Sequence, residues 1–323
     1  MWSGAGMRIG QDPRVIQALD AWAEIAPTLG LDPAGFRSKL IWDKADATRS
    51  HVVVRLIGPQ RLILKMVERG PAEETPAQTA VAIRAAHAAL QSNPRAHVPD
   101  VLFANDNVMV MTEAVGKTLE AQLRSGRAHG PLLRRAGAWL AAYHGAREVE
   151  PRTYRPHFML DHIAQKADAV RAGMRKVAEL DLFLACCDAL PDRALAGQTT
   201  LSAPKHGDFN TRNLLLGPEG ETALDFKPPS SAPVGFDIVR MLMDYAELHQ
   251  PAGADLLLQA TQDAFFKGYT LVGPDDPAVR FLPHVQLLND WMAIPHQETQ
   301  RSWRQAARLA GIVTLASQSL GRP

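Results

Sequence analysis

Three side chains frame the chemistry open to this chain: Asp208, Asn213 and Asp225, within the stretch HGDFNTRNLLLGPEGETALD from His206 to Asp225. The stretch reads as two short apolar strands, 213–216 and 222–224, joined by the turn Gly217-Pro218-Glu219-Gly220. Residues equidistant from a turn pair across a hairpin, so folding about Glu219 is expected to set Asn213 opposite Asp225. Asp208 lies five residues before Asn213, on the loop feeding the first strand. Two carboxylates and a carboxamide then gather around one small volume. Oxygen ligands of this kind suit a hard Mg²⁺ ion that carries phosphates and keeps several waters. The bland alternative is an Asp-rich turn capped by a neighbouring Asn.

Such a hairpin needs other elements to bring a phosphate-bearing partner to it. Lys39–Trp42, His51–Ile57 and Arg61–Val67 are β-branched or apolar runs broken by turn residues, and predict an antiparallel meander. Between the first two lies the polar turn Asp43–Ser50. Lys65 sits inside the third run, between Leu64 and Met66. A helix is expected from Thr75, with Thr as cap, Pro76 in the first turn and Gln78 completing a capping box. Ala80, Ile83, Ala86 and Leu90 form its apolar stripe. Val98–Phe103 and Val108–Met111 read as two more strands, and beyond Gly116 the pattern becomes mainly helical. Ahead of the meander, Asp12-Pro13 opens a helix whose Val15, Ile16, Leu19, Trp22, Ala23 and Ala26 recur at helical spacing.

His206-Gly207-Asp208 with Asn213, followed by Asp225-Phe226, resembles the catalytic loop of the aminoglycoside phosphotransferase and choline kinase group. That group writes the loop H-G-D-x-x-x-x-N and the second Asp as D-F or D-x-G; here Lys227 stands where Gly is usual. The resemblance runs from about Lys39 to Glu247. It implies an α+β, two-lobed, protein-kinase-like fold: an antiparallel-sheet N-lobe over residues 1–115 and a larger helical C-lobe over 116–323. It implies Asp208 as the base that accepts a hydroxyl proton, and Asn213 and Asp225 as ligands of Mg²⁺. Lys65 would steady the phosphates of ATP, or of GTP, with Thr48 and Ser50 in the covering turn. Thr112, Glu113 and Ala114 fall where the family's hinge meets the adenine. A Glu to hold Lys65 is expected in the helix after Thr75, and none lies inside it; Glu73 and Glu74 precede the cap. Leu140–His144 resembles the L-x-x-H end of the family's long helix. Gly235–Arg240 resembles its G-x-x-x-D-L-A segment, whose Asp, here Asp237, braces the catalytic loop and is also a good helix N-cap.

These features predict an enzyme moving the γ-phosphoryl of ATP to a hydroxyl of a small polar molecule: an aminoglycoside, another sugar or an amino alcohol. Lys227 and the missing helix Glu leave open a degenerate kinase-like scaffold that binds nucleotide without turnover. The segment from Phe226 to Phe236 holds three prolines and lacks the A-P-E end of a protein-kinase activation segment, which argues against a peptide acceptor.

Composition narrows the classes. Thirty-five basic residues nearly balance thirty-four acidic ones, so no global field points to nucleic acid. No apolar run is long enough to span a membrane, and no secretory leader is evident, so a cytoplasmic protein is expected. Cys186 and Cys187 are adjacent and read as buried helical thiols. His157 and His162 lack the further ligands a zinc site wants.

Overall fold

The computed structural model describes residues 12–45, 48–251, 253 and 255–321. By its internal contacts the chain divides into two units. The first comprises the residues up to Gly116 together with Thr222–Pro229, and the second comprises Lys117–Glu221 with Ser230 onward. The expected boundary near residue 115 therefore needs one change. Residues 222–229, assigned by sequence to the helical lobe, group with the first unit, where side chains of Asp225 and Lys227 bond Lys65 and Glu74.

The first unit contains α1 (Pro13–Ile25), β1 (Arg37–Ala45), β2 (Ser50–Ile57), β3 (Arg61–Arg69), α2 (Pro76–Leu90), β4 (Ala96–His97), β5 (Val101–Ala104) and β6 (Val108–Thr112). Five strands form an antiparallel sheet in the order β1-β2-β3-β6-β5. The predicted meander is thus observed, each strand extending beyond its apolar run, the first at both ends and the second by Ser50 alone. Alternation decides the faces. Val52, Val54, Leu56, Leu62, Leu64 and Met66 point to one side, where Val15, Ala18, Trp22 and Ile25 of α1 close a buried cluster. Lys65 therefore lies on the opposite, half-buried face. Asp12 caps α1 through Arg14 N, and Thr75 and Gln78 form the reciprocal capping box that opens α2.

The second unit holds β7 (Lys117–Thr118), α3 (Leu119–Leu123), α4 (His129–Gly145), β8 (Glu150–Thr153), α5 (His157–Arg171), α6 (Leu180–Ala189), β9 (Thr199–Pro204) and β10 (Leu214–Leu216). Then follow β11 (Glu221–Ala223, which straddles the division), β12 (Ser231–Pro233), α7 (Gly235–His249), α8 (Gln259–Phe266), α9 (Pro277–Met292) and α10 (Trp303–Ser319). β12, β9 and β8 form a small antiparallel sheet. Gly173, at φ +71°, follows the end of α5 and separates it from α6. Helix α8 lies close on α4: a Cβ at Gly137 would stand 2.3 Å from Phe265 O. Helix α10 approaches α7 just as closely at Gly311, where a Cβ would stand 1.9 Å from Glu247 O. No helix among the described residues is long and apolar enough to cross a membrane.

Candidate active site

The loop 206–213 is built on helix α4. Trp139 stacks on Tyr143 and on Phe209, with ring centroids 5.3 and 5.2 Å apart, and meets His206 edge-on at 6.1 Å. These rings give the loop an apolar floor. Asp237 then fixes its backbone. The buried carboxylate accepts His206 N at 2.7 Å, Gly207 N at 2.9 Å and His144 Nε2 at 3.2 Å. Tyr269 Oη bonds the other nitrogen of His144 at 2.9 Å. Burial alone would raise the Asp237 pKa; the bond and charge of His144, the charge of His206 and the Gly207 amide instead hold it below the usual carboxylate range.

Asp237 does brace the loop, but it is not the N-cap. Helix α7 begins at Gly235 with Val234 in the cap position, which places Asp237 in the first turn. Its carboxylate serves the amides of the loop rather than those of its own helix. His206 is fully buried and accepts Asp208 N through Nδ1 at 3.3 Å, a role in holding the loop.

Asp208 is half-buried and surrounded by donors. Its Oδ1 accepts Asn210 Nδ2 at 2.9 Å and Arg240 Nε at 3.0 Å, and its Oδ2 accepts Asn213 Nδ2 at 3.2 Å. Asn213 Nδ2 also donates to Asp208 O at 2.9 Å. Two acceptors on one side of the amide identify its nitrogen and turn Oδ1 of Asn213 away from the carboxylate. The strand that follows is anchored through its turn. Gly217 N donates to Gly220 O at 2.8 Å, while Arg135 of α4 reaches Glu221 Oε1 at 2.5 Å and Gly217 O at 3.0 Å.

The first unit carries a second group of predicted residues. Asp225 holds a left-handed backbone at φ +59°, a conformation Asp tolerates better than most non-glycine residues. Phe226 beside it is buried, and the Asp225 side chain stays 56% exposed. Lys65 Nζ donates to Asp225 Oδ1 at 2.7 Å. The open question of a Glu partner is answered in an unexpected way. Glu74 Oε2 accepts Lys227 Nζ at 2.6 Å and Arg49 Nη2 at 3.4 Å, so the lysine that departs from the family pattern takes that carboxylate.

The remaining predicted residues fare unevenly. Thr48 is exposed. Ser50 is buried and its Oγ donates its hydrogen to Glu68 Oε2 at 2.7 Å. The amides of Thr112 and Glu113 donate to Asp100 O and Arg61 O. Thr112 Oγ1 accepts Asp100 N, and Glu113 Oε1 pairs with Arg55 at 2.7 Å. The amides of Thr112 and Glu113 are thus both paired within the unit. Cys186 and Cys187 are buried in α6, and burial, reinforced by Cys186 and Asp188, pushes the Cys187 thiol up to about 12.

Sequence reasoning passed over Asn210 and Arg240. A signal for Arg240 was present: it stands three residues after Asp237, one helical turn on, and so shares its face toward the loop.

The family model for the phosphotransferase enzyme family matches residues 43–282, well over half the chain. The chain belongs to this family. It is a phosphotransferase, on a two-lobed α+β kinase-like fold. A search of curated proteins returned no match. Among solved structures it is similar to macrolide 2'-phosphotransferase MphH from Brachybacterium faecium, with TM-score 0.53, 17% identity, and 92% of this chain and 98% of that chain covered. It is similar to amicoumacin kinase hAmiN, determined with AMP-PNP, Ca²⁺ and Ami, at TM-score 0.55 and 14% identity over 95% and 97% of the two chains. A choline/ethanolamine kinase family protein from Mesorhizobium loti gives TM-score 0.54 and 19% identity over 94% of each chain. At these identities the likeness concerns the fold.

Proposed function

We propose that the chain transfers the γ-phosphoryl group of ATP, or of GTP, to a hydroxyl of a small polar molecule such as an aminoglycoside, another sugar or an amino alcohol. The observation that carries this reading is the bonding of Asp208. Its carboxylate is held by three side-chain donors, and the amide of Asn213 is oriented with its oxygen turned outward. The Arg240 bond, from a helix outside the loop, is the one that an Asn-capped turn would not include.

Asp208 accepts the proton of the acceptor hydroxyl as its oxygen attacks the γ-phosphorus, while the bond from that phosphorus to the β-γ bridging oxygen breaks and ADP leaves with the electron pair. Asn213 and Asp225 would hold Mg²⁺, which supplies charge neutralisation at the phosphates. Both present oxygen donors, the kind this hard ion prefers. Lys65, beside Asp225, would pair with phosphate oxygens, and Thr48 with the backbone around Ala114 would complete the nucleotide contacts. Relatives of the same fold include kinases of macrolides and amicoumacin and a choline/ethanolamine kinase family protein, which favours a small acceptor. The short, proline-rich segment after Asp225 favours the same. Dependence on ATP suits a cytoplasmic enzyme.

The second reading, a nucleotide-binding scaffold without turnover, draws on Glu74 being held by Lys227. One set of measurements separates the two. ADP release is followed with Mg-ATP across pooled aminoglycosides, sugars and amino alcohols, beside thermal shift of wild type and Asp225→Ala. Turnover with one pool, and a Mg-ATP shift in the wild type that Asp225→Ala lacks, are expected. A shift without turnover on any pool would favour the scaffold, and an equal shift in both proteins would remove Asp225 from the metal site.

A further inference from the structure

Each carboxylate oxygen has two lone-pair directions, about four for the group. On Asp208 they are filled unequally among the described residues. Oδ1 accepts both Asn210 Nδ2 at 2.9 Å and Arg240 Nε at 3.0 Å, whereas Oδ2 accepts a single side-chain donor among them, Asn213 Nδ2 at 3.2 Å. Arg240 is not a loose surface cation that happens to reach the loop. It stands on α7 one turn beyond Asp237, and its Nη1 lies 3.6 Å from Asp290 Oδ2 of α9. Asp290 is itself fixed by Gln286 Nε2 at 2.8 Å and by Arg308 Nη2 of α10 at 3.1 Å. Arg308 in turn pairs with Glu247 of α7. The guanidinium is thus set by three helices before it meets the loop.

We infer that Arg240 is a positioning residue for the phosphoryl transfer: it occupies Oδ1 of Asp208 and leaves Oδ2 as the atom that receives the acceptor proton. The inference rests on the proposed role of Asp208 as base and adds to it the atom and the residue that selects it. The proton passes from the acceptor hydroxyl to Oδ2, the acceptor oxygen bonds to the γ-phosphorus, and ADP departs with the electrons of the broken bond. Arg240 does not exchange a proton; guanidinium stays charged throughout. Its contribution is geometric: a single planar N–H aimed at Oδ1 stops the carboxylate rotating about its Cβ–Cγ bond. An ammonium at the same place keeps the charge but not the aim, so lysine is a partial substitute.

The test uses the full chain with Mg-ATP, ADP release being measured over the same acceptor pools, for Arg240→Ala, Arg240→Lys, Asp208→Asn and the double variant Arg240→Ala/Asp208→Asn. Arg240→Ala is expected to lose about 10- to 100-fold in kcat with KM for ATP unchanged, the scale of a displaced catalytic group. Arg240→Lys should recover part of the loss and keeps the question answerable if the alanine variant folds poorly. Added guanidinium should restore kcat of Arg240→Ala, and sodium chloride at equal ionic strength should not. In the Asp208→Asn background the Arg240 substitution should cause no further loss, because the two act as a unit. Full kcat in Arg240→Ala beside an inactive Asp208→Asn would overturn the inference and leave the base in place. Losses that multiply in the double variant, or an alanine variant that guanidinium does not restore, would overturn it as well. An active Asp208→Asn, or a wild type that releases no ADP, would remove the base reading and this one with it.

Discussion

On the proposed reading Asp208 carries the proton chemistry, and its replacement is the narrowest test of the site. Asp208→Asn keeps the side-chain shape and removes the acceptor, so kcat should fall about 10²- to 10⁴-fold. Affinity for Mg-ATP, read by thermal shift, should change little; turnover within a factor of two of the wild type would assign the base elsewhere. Asp208, Asn213 and Asp225 stand out in the amino-acid sequence because the H-G-D-x-x-x-x-N and D-F pattern is local, a loop and a hairpin's length of chain. Lys65 could be placed by strand alternation, but its pairing with Asp225 joins residues 160 apart, and Lys227 meets Glu74 across 153. No local rule reports such pairs. Ser50 shows the same limit from the other side: a hydroxyl in a turn looks available until Glu68 on the neighbouring strand claims it.

The elements were legible in proportion to their local signals. Capping boxes and alternation marked α2 and the meander, and helical spacing marked α1. The start of α7 was read three residues late, because Asp237 looks like a cap and its true partners, His206 and Gly207, lie thirty or more residues upstream. Helix contacts made through Gly137 and Gly311 gave no sign, since a glycine inside a helix usually signals weakness rather than close approach. Asp237 is where element and loop meet. Asp237→Asn removes a buried charge that serves two amides and His144, and should cost about 3–5 kcal/mol by the measure of broken buried pairs. Hydrogen exchange followed by mass spectrometry should show His206 and Gly207 amides exposed first. Unchanged protection at those two amides would mean that the loop is held by its aromatic floor on α4 instead.

At the scale of the whole molecule, the histidines set how stability responds to acid. Burial, reinforced by Lys65, Lys44 and Arg49 and opposed by Asp225, brings His51 down to about 4. Burial and the neighbouring Arg193 bring His284 down to about 4 as well. The pKa values of His162 and His249 are also lowered, in both cases first by burial. A histidine whose folded pKa is depressed binds its proton in the unfolded chain first. Its contribution to stability is complete above about pH 6.5 and is lost as pH falls toward 4. Glu247 works the other way: burial, then Asp290, raise its pKa, so the native state gains relative stability as pH falls through its range. A single wild-type slope would mix the two effects, and a variant separates them. His284 Nε2 lies 3.3 Å from Arg193 Nη1, where the neutral ring can accept a hydrogen bond and a protonated ring would set two cations together. His284→Asn keeps a polar side chain that does not titrate. Between pH 7.5 and 5 the wild type should lose about 1–2 kcal/mol more than this variant, after allowance for partial exposure. Melting temperatures at the two pH values, in one buffer series at fixed ionic strength, measure the difference. The absolute stability of the variant does not matter, because only the change with pH is compared. Equal slopes in the two proteins would show that His284 titrates alike in the folded and unfolded chain.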